Sequence, residues 1–339
     1  MACAVNRRIL IITHRGDLHA DLIAERIAAR GLAPFRIDLD RFPADYALDL
    51  HLDHGAWTGE LQHLPSGDAL DIARIGAVWT RKTAEFAYLS ETLGAQERAF
   101  AHQEMEHILF GLLYGLDAFW MSHPSAVRGA LWKGEQLMRA AKFGFDVPAS
   151  VITNSPGSAR AFHAAADGDI VFKALASPTL GAERVQETER VNAGLPTTRI
   201  GREHDAMFDA VAQLPCFFQH YIAKRYELRV TVIDGRVFAA KIHSQDDPRT
   251  AVDFRDFSAP IRYQAETLPL EIERRCRDFV ASYSLTYGAI DLIVAPDGRY
   301  VFLENNPGGQ FLFVEQLVPE LKMLDALAEC LIAGAERGA

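Results

Sequence analysis

The chain has 339 residues, 49% of them hydrophobic, enough to bury a large core divided among two or three domains. A formal net charge of −10 excludes a protein that coats nucleic-acid phosphates and suits a neutral or basic partner instead. The four cysteines, Cys3, Cys216, Cys276 and Cys330, form no C-x-x-C pair, so zinc and dithiol chemistry have no support and isolated, reduced thiols are expected.

After Arg7-Arg8, the apolar run from Ile9 to Ile12 stops at Thr13-His14, too short for a signal peptide and read as a first strand. Asp17 to Arg30 is an amphipathic helix stopped by Gly31, and Phe35 to Leu39 a second strand. This βαβ start lacks G-x-G-x-x-G, so no dinucleotide site is expected. A strand at Ala77-Val78-Trp79 and a helix from Ala95 to Leu116 complete an N-terminal α/β domain over residues 1–122. His102 and His107 on that helix are five apart, whereas a two-histidine metal site needs four. The apolar stretch from Ile108 to Trp120 is interrupted by Asp117 and too short to span a bilayer, so a soluble, cytoplasmic protein is expected.

A second unit, residues 123–214, opens with a helix from Ala126 to Gly144 and continues with strands from Ser150 to Thr153 and from Asp169 to Lys173. Ala174 to Gly194 is polar and aperiodic and reads as a mobile flap. A third unit, residues 215–339, holds strands from Cys216 to Tyr221, Leu228 to Ile233 and Val237 to Ile242, the last two joined by the hairpin signal Asp234-Gly235. Helices follow from Pro269 to Tyr283 and from Val314 to Ala335.

The most informative segment lies between those helices. Two apolar runs flank the turn Pro296-Asp297-Gly298 and read as a strand hairpin. Asp291 falls at the start of the first strand; Glu304 and Asn306 fall at the end of the second, on one face. Acids at the edge of a core seldom lack a partner, and three oxygen donors without sulfur or imidazole suit Mg²⁺.

This hairpin resembles the C-terminal metal-binding hairpin of the ATP-grasp superfamily, and the string from Glu304 to Phe311, Glu-Asn-Asn-Pro-Gly-Gly-Gln-Phe, is similar to that of the microviridin-type peptide ligases, or graspetide synthetases. Trp120 to Pro124, Lys133 to Leu137, and Phe218 through Lys224 to Arg229 agree in order, so the resemblance spans the chain from about Val78 onward. It implies an α/β ATP-grasp fold, α+β in its C-terminal part, behind a Rossmann-like pre-ATP-grasp domain. It implies ATP and two Mg²⁺ ions as cofactors, with Asp291, Glu304 and Asn306 as metal ligands. Lys133 and Lys173 would meet the α- and β-phosphates, Gln219, His220, Tyr221 and Ile222 the adenine, and Glu227 the ribose. Arg229 and Arg255 are expected on the γ-phosphate and acyl phosphate, since a guanidinium donates two parallel hydrogen bonds.

The implied reaction activates Asp or Glu side chains of a ribosomal precursor peptide and closes them on Ser, Thr or Lys as ω-ester or ω-amide macrocycles. A helix opening at Arg202 would grip the peptide's leader through Glu203, Asp205 and Asp209. A homodimer is expected, with no nucleic-acid or membrane partner. Two other readings stand beside this one: an ATP-grasp ligase adding an amino acid to a protein or small carboxylate, and a non-catalytic ATP-binding scaffold.

Overall fold

The computed structural model describes residues 7–337 except 83, 85, 176–195 and 257, so the segment expected to be a flap lies almost wholly outside the described residues. Two compact units emerge: Met1–Val127 with Ser284–Tyr287 and Lys322–Ala339, and Arg128–Tyr283 with Gly288–Leu321.

In the first unit, β1 (Arg8–Thr13) is buried along nearly its whole length, as a parallel strand covered on both faces must be. The helix α1 (Leu18–Ala28) is capped by Asp17, whose carboxylate accepts the His19 N–H, and leads to β2 (Phe35–Asp38), parallel to β1. An antiparallel meander follows, β3 (Tyr46–Asp53), β4 (Ala56–His63) and β5 (Asp68–Asp71), which the sequence reading does not anticipate. Its first turn is His54-Gly55, both at positive φ (47° and 81°), a conformation that Asn or Asp ordinarily signals. Next, β6 (Ile75–Thr80) pairs with β1, α2 (Ala95–Tyr114) packs Leu109 and Leu113 into the core, and β7 (Phe119–Trp120) extends the parallel sheet to the order β2-β1-β6-β7.

The single helix expected from Ala126 to Gly144 is two, α3 (Pro124–Gly129) and α4 (Lys133–Lys142). The gap between them holds Ala130, whose carbonyl accepts a hydrogen bond from the Gln136 side chain. The second unit then builds β8 (Ser150–Thr153), α5 (Pro156–Ala165), β9 (Ile170–Lys173), β10 (Thr198–Ile200), a 3₁₀ helix over Arg202–Gln213, and β11 (Cys216–His220). These strands form one antiparallel sheet, β10-β9-β11-β8, so β11 belongs with the strands before it rather than opening a third unit at residue 215. The second sheet begins at β12 (Tyr226–Ile233), joined through Asp234-Gly235 to β13 (Arg236–Ile242) and then β14 (Tyr263–Glu266). After α6 (Leu270–Ala281) come β15 (Tyr287–Val294) and β16 (Tyr300–Asn306), giving the order β14-β13-β12-β15-β16.

The helix expected from Val314 to Ala335 is also broken. α7 (Leu312–Leu317) stops before Pro319, and α8 (Met323–Arg337) follows Lys322 at φ 51°. α8 packs on α1, β6 and β7, so the chain's last helix is part of the first unit and not of a 215–339 domain.

Candidate functional site

The site lies wholly within the second unit. The turn after β15 is closed by a Gly298 N–H···Ala295 carbonyl bond, with Gly298 at φ 88° where a side chain would be strained. This hairpin sets Asp291 directly opposite Glu304, and the register shifts immediately after Asp291 so that Leu292 faces Phe302. Such irregularities re-aim side chains next to functional sites. Asp291 stands mid-strand rather than at the start, because both faces of β15 are buried and hydrophobic alternation marks no end there. Glu304 and Asn306 do share a face: the Asn306 amide donates to Glu304 Oε1 at 3.2 Å.

Each carboxylate already has a cation. Arg229 Nη1 donates to both oxygens of Asp291, at 2.8 and 2.9 Å. Burial nonetheless pushes Asp291 up to about 6, with Arg229 opposing and Glu304 adding to the rise. Burial also works to raise Glu304, but Lys133, whose ammonium lies 3.0 Å away, holds it below the ordinary carboxylate range. Among the described residues no group of three or more His, Cys, Asp and Glu could hold a metal. The donor set is two carboxylates completed by the Asn306 amide, all hard oxygens, and it fits a magnesium ion.

Beside this floor opens a cavity of about 860 Å³. Lys133, the first residue of α4, lines it and donates to the Ala174 carbonyl at 3.1 Å. Lys173, the last residue of β9, also lines it; burial pulls its ammonium down to about 8, Glu304 opposing and Lys224 reinforcing. Arg255 is gripped by Asp253 through two hydrogen bonds of 2.8 and 2.7 Å, which raises the guanidinium further above its ordinary range. Burial works to raise Asp253, and Arg255 outweighs it, holding the carboxyl at about 2. Of Lys133, Lys173, Lys224, Arg229 and Arg255, Lys173 alone has no ion-pair partner among the described residues.

The linker between the two sheets forms a cavity edge, and Gln219, His220, Tyr221 and Ile222 all line it. The Gln219 side chain is held by the Ser150 hydroxyl at 3.0 Å. The N–H groups of His220 and Tyr221 are committed to the carbonyls of Ala149 and Asp169. Neither is free for a ligand, a correction to the expectation that this whole segment offers its backbone; the Ile222 N–H makes no backbone hydrogen bond among the described residues. Glu227, 3% exposed, lines the cavity. Arg229, two residues along β12, does not line it, because its guanidinium is spent on Asp291.

Glu203, Asp205 and Asp209 lie elsewhere, outside the cavity lining. Their helix is 3₁₀, so residues four apart are about 120° apart around the axis and do not share a face. Asp209 pairs with Arg160 at 2.7 Å, Asp205 stands 3.5 Å from His163, and Glu203 lies 3.3 Å from its neighbour His204.

Three residues of the site escape sequence reasoning: Lys224, Asp253 and Gln136. Lys224 pairs with Glu227 at 2.9 Å. Asp253 is signalled by its position two before Arg255, whose N–H it accepts at 3.0 Å in a local turn. Gln136, 2% exposed, donates to the Ala130 and Asn305 carbonyls at 2.6 and 2.9 Å and accepts the Asn305 N–H at 2.8 Å. It thereby ties the helix carrying Lys133 to the residue between Glu304 and Asn306. No helix among the described residues is long and apolar enough to cross a membrane.

Residues 8–128 match the family model of the MvdD pre-ATP grasp domain. Comparison with curated proteins gives no match. Among solved structures, the chain is similar to a RiPP-associated ATP-grasp ligase of Chryseobacterium gregarium, in complex with ADP and a leader and core peptide. The two share 29% identity over 96% of this chain and 97% of that one, with a TM-score of 0.85. It is similar also to the macrocyclase MdnC of Microcystis aeruginosa MRC, bound with the precursor peptide MdnA, at 28% identity over 96% and 99% of the two chains and a TM-score of 0.82. The macrocyclase MdnB of the same organism gives 28% identity over 96% and 99%, with a TM-score of 0.76. By its N-terminal domain and by these likenesses over nearly its whole length, the chain is similar in fold to the ATP-grasp ligases, the microviridin-type peptide macrocyclases among them.

Proposed function

We propose that the cavity binds ATP with two Mg²⁺ ions, and that the protein links Asp or Glu side chains of a ribosomal precursor peptide to Ser, Thr or Lys as ω-esters or ω-amides. The observation that carries this reading is the gathering of Asp291, Glu304 and Asn306 with a set of cations about one cavity. The peptide-bound relatives support the substrate class.

In this reading Ile222 and the linker receive adenine, Glu227 the ribose hydroxyls, Lys133 and Lys173 the α- and β-phosphates, and Arg255 the γ-phosphate. Asp291, Glu304 and Asn306 would hold the metal, which when bound offsets phosphate charge. Arg229 serves by orienting Asp291. A peptide carboxylate oxygen attacks the γ-phosphorus, the bond to the bridging oxygen breaks, and ADP leaves. The hydroxyl or amine then attacks the acyl carbon of the resulting acyl phosphate, phosphate departs, and the nucleophile's proton passes to it. The protein supplies no covalent nucleophile; its part is positioning and charge stabilisation.

The 3₁₀ helix takes the leader segment, an incoming arginine displacing Arg160 from Asp209 while Asp205 and Glu203 add negative charge. A homodimer in the cytoplasm completes the proposal. The test is ADP release with a candidate precursor, read beside the precursor's mass. Peptide-dependent ADP release with one water lost per bond is expected. ADP release with a free amino acid and no precursor points to amino-acid ligation, and no release with either points to a binding protein.

A further inference from the structure

Lys224 has no part in the reading above, yet its side chain is 5% exposed and its partner Glu227 is 4% exposed. The ammonium donates to Glu227 Oε1 at 2.9 Å and to the Val252 carbonyl at 2.8 Å. A buried ion pair adds little stability, since desolvation consumes most of the Coulomb attraction. Its effect is geometric: two anchors fix the ammonium, and the ammonium fixes one carboxylate oxygen. The other oxygen, Oε2, makes no hydrogen bond among the described residues, and Glu227 borders the cavity. Val252 and Glu227 are thereby pinned at one point, where the linker enters β12 and where the chain leads on to Asp253 and Arg255.

We propose that Lys224 is a positioning residue that sets a preference for ribonucleotides over 2′-deoxyribonucleotides, by occupying Oε1 of Glu227 so that Oε2 meets the ribose hydroxyls. The inference rests on the assignment of Glu227 to ribose and adds the residue that makes that carboxylate selective. A carboxylate with one oxygen held can accept from the hydroxyls in only one arrangement. Without Lys224 it turns, and the 2′-hydroxyl loses its advantage.

The experiment measures the affinities of the full-length protein for ADP and 2′-deoxy-ADP with Mg²⁺ by calorimetry, with thermal unfolding of each variant as a control. The wild type is expected to favour ADP by about tenfold to a hundredfold, the value of a hydrogen bond to a charged group. Lys224→Met and Glu227→Ala should each reduce that ratio to about threefold or less. A purely structural role for Lys224 would weaken both nucleotides equally and leave the ratio unchanged, which overturns the proposal. If Glu227→Ala keeps the wild-type ratio, the ribose assignment itself fails. Loss of the ratio in Glu227→Ala with retention in Lys224→Met overturns only the role of Lys224. A wild type that binds both nucleotides equally overturns both. Should Lys224→Met not fold, Lys224→Gln, polar but uncharged and one bond shorter than lysine, loosens the hold on Oε1, and a fall in the ratio in the same direction is expected of it.

Discussion

Gln136 makes three hydrogen bonds to backbone groups that no water reaches: Ala130 is 0% exposed, Asn305 2% and Gln136 itself 2%. Gln136→Met preserves length and volume but strands the Asn305 N–H and carbonyl and the Ala130 carbonyl. Each stranded group costs about 1–3 kcal/mol, partly offset because the side-chain amide no longer needs partners, so the net loss expected is about 3–5 kcal/mol. That is a large fraction of the ~5–15 kcal/mol that holds a typical domain folded. Urea unfolding gives the measurement, read as a lowered midpoint at unchanged slope. The touching position should respond with the opposite sign. The Asn305 side-chain amide is buried with no hydrogen-bond partner on either atom among the described residues. Asn305→Leu, nearly isosteric, should therefore stabilise by about 1–3 kcal/mol. A loss under about 1 kcal/mol in Gln136→Met, or a destabilised Asn305→Leu, would refute this account of the tie between α4 and β16.

Three further outcomes are expected. Glu304→Ala should abolish peptide-dependent ADP release while leaving the thermal unfolding midpoint near that of the wild type; substantial turnover by the folded variant would remove Glu304 from the metal site. Lys173, pulled down to about 8, is an ammonium below that pH and an amine above it, so nucleotide affinity should be full near neutrality and fall as pH rises through 8. The folded pKa lies below the ordinary 10.5, so the unfolded chain binds more protons between the two values and stability should rise with pH across that window. Lys173→Arg should hold affinity constant from pH 7 to 9, and a wild type equally constant would contradict the assignment. Asp205→Ala with Asp209→Ala should weaken precursor binding and leave ADP affinity unchanged; unaltered peptide affinity would return the 3₁₀ helix to a structural role.

What was legible in the sequence was whatever depends on neighbours along the chain. The Pro296-Asp297-Gly298 turn fixes the hairpin, and the hairpin brings Asp291 to Glu304 and Glu304 to Asn306. Lys133 and Lys173 were legible through resemblance and reach the same cavity. A partner set by tertiary structure was not: Asp291 takes Arg229 from sixty-two residues away. The Lys224–Glu227 and Arg255–Asp253 pairs, three and two residues apart, are local, but a short-range charge pair reads the same in sequence whether it is buried or solvated. The break between α3 and α4 has the same origin, since the Gln136 side chain answers a carbonyl six residues back. The stop before α8 was legible after all, in Pro319, which ends helices before it. The meander escaped because a histidine occupies a left-handed turn position where Asn is the usual marker.

The placement of α8 bears on how the chain is made. It buries Leu324, Leu327, Leu331 and Ala335 among others, and it covers α1, β6 and β7, elements that precede it by more than two hundred residues. During synthesis the parallel sheet must therefore wait for α8 until more than two hundred further residues have left the ribosome. The second unit's two sheets each draw on a continuous stretch of sequence, and its long wait is that of α4 for β16. Until α8 arrives, the parallel sheet is the part of the first unit most exposed to sticking to its neighbours. A fragment ending near residue 128, the span that the domain family recognises, would hold that unfinished condition permanently.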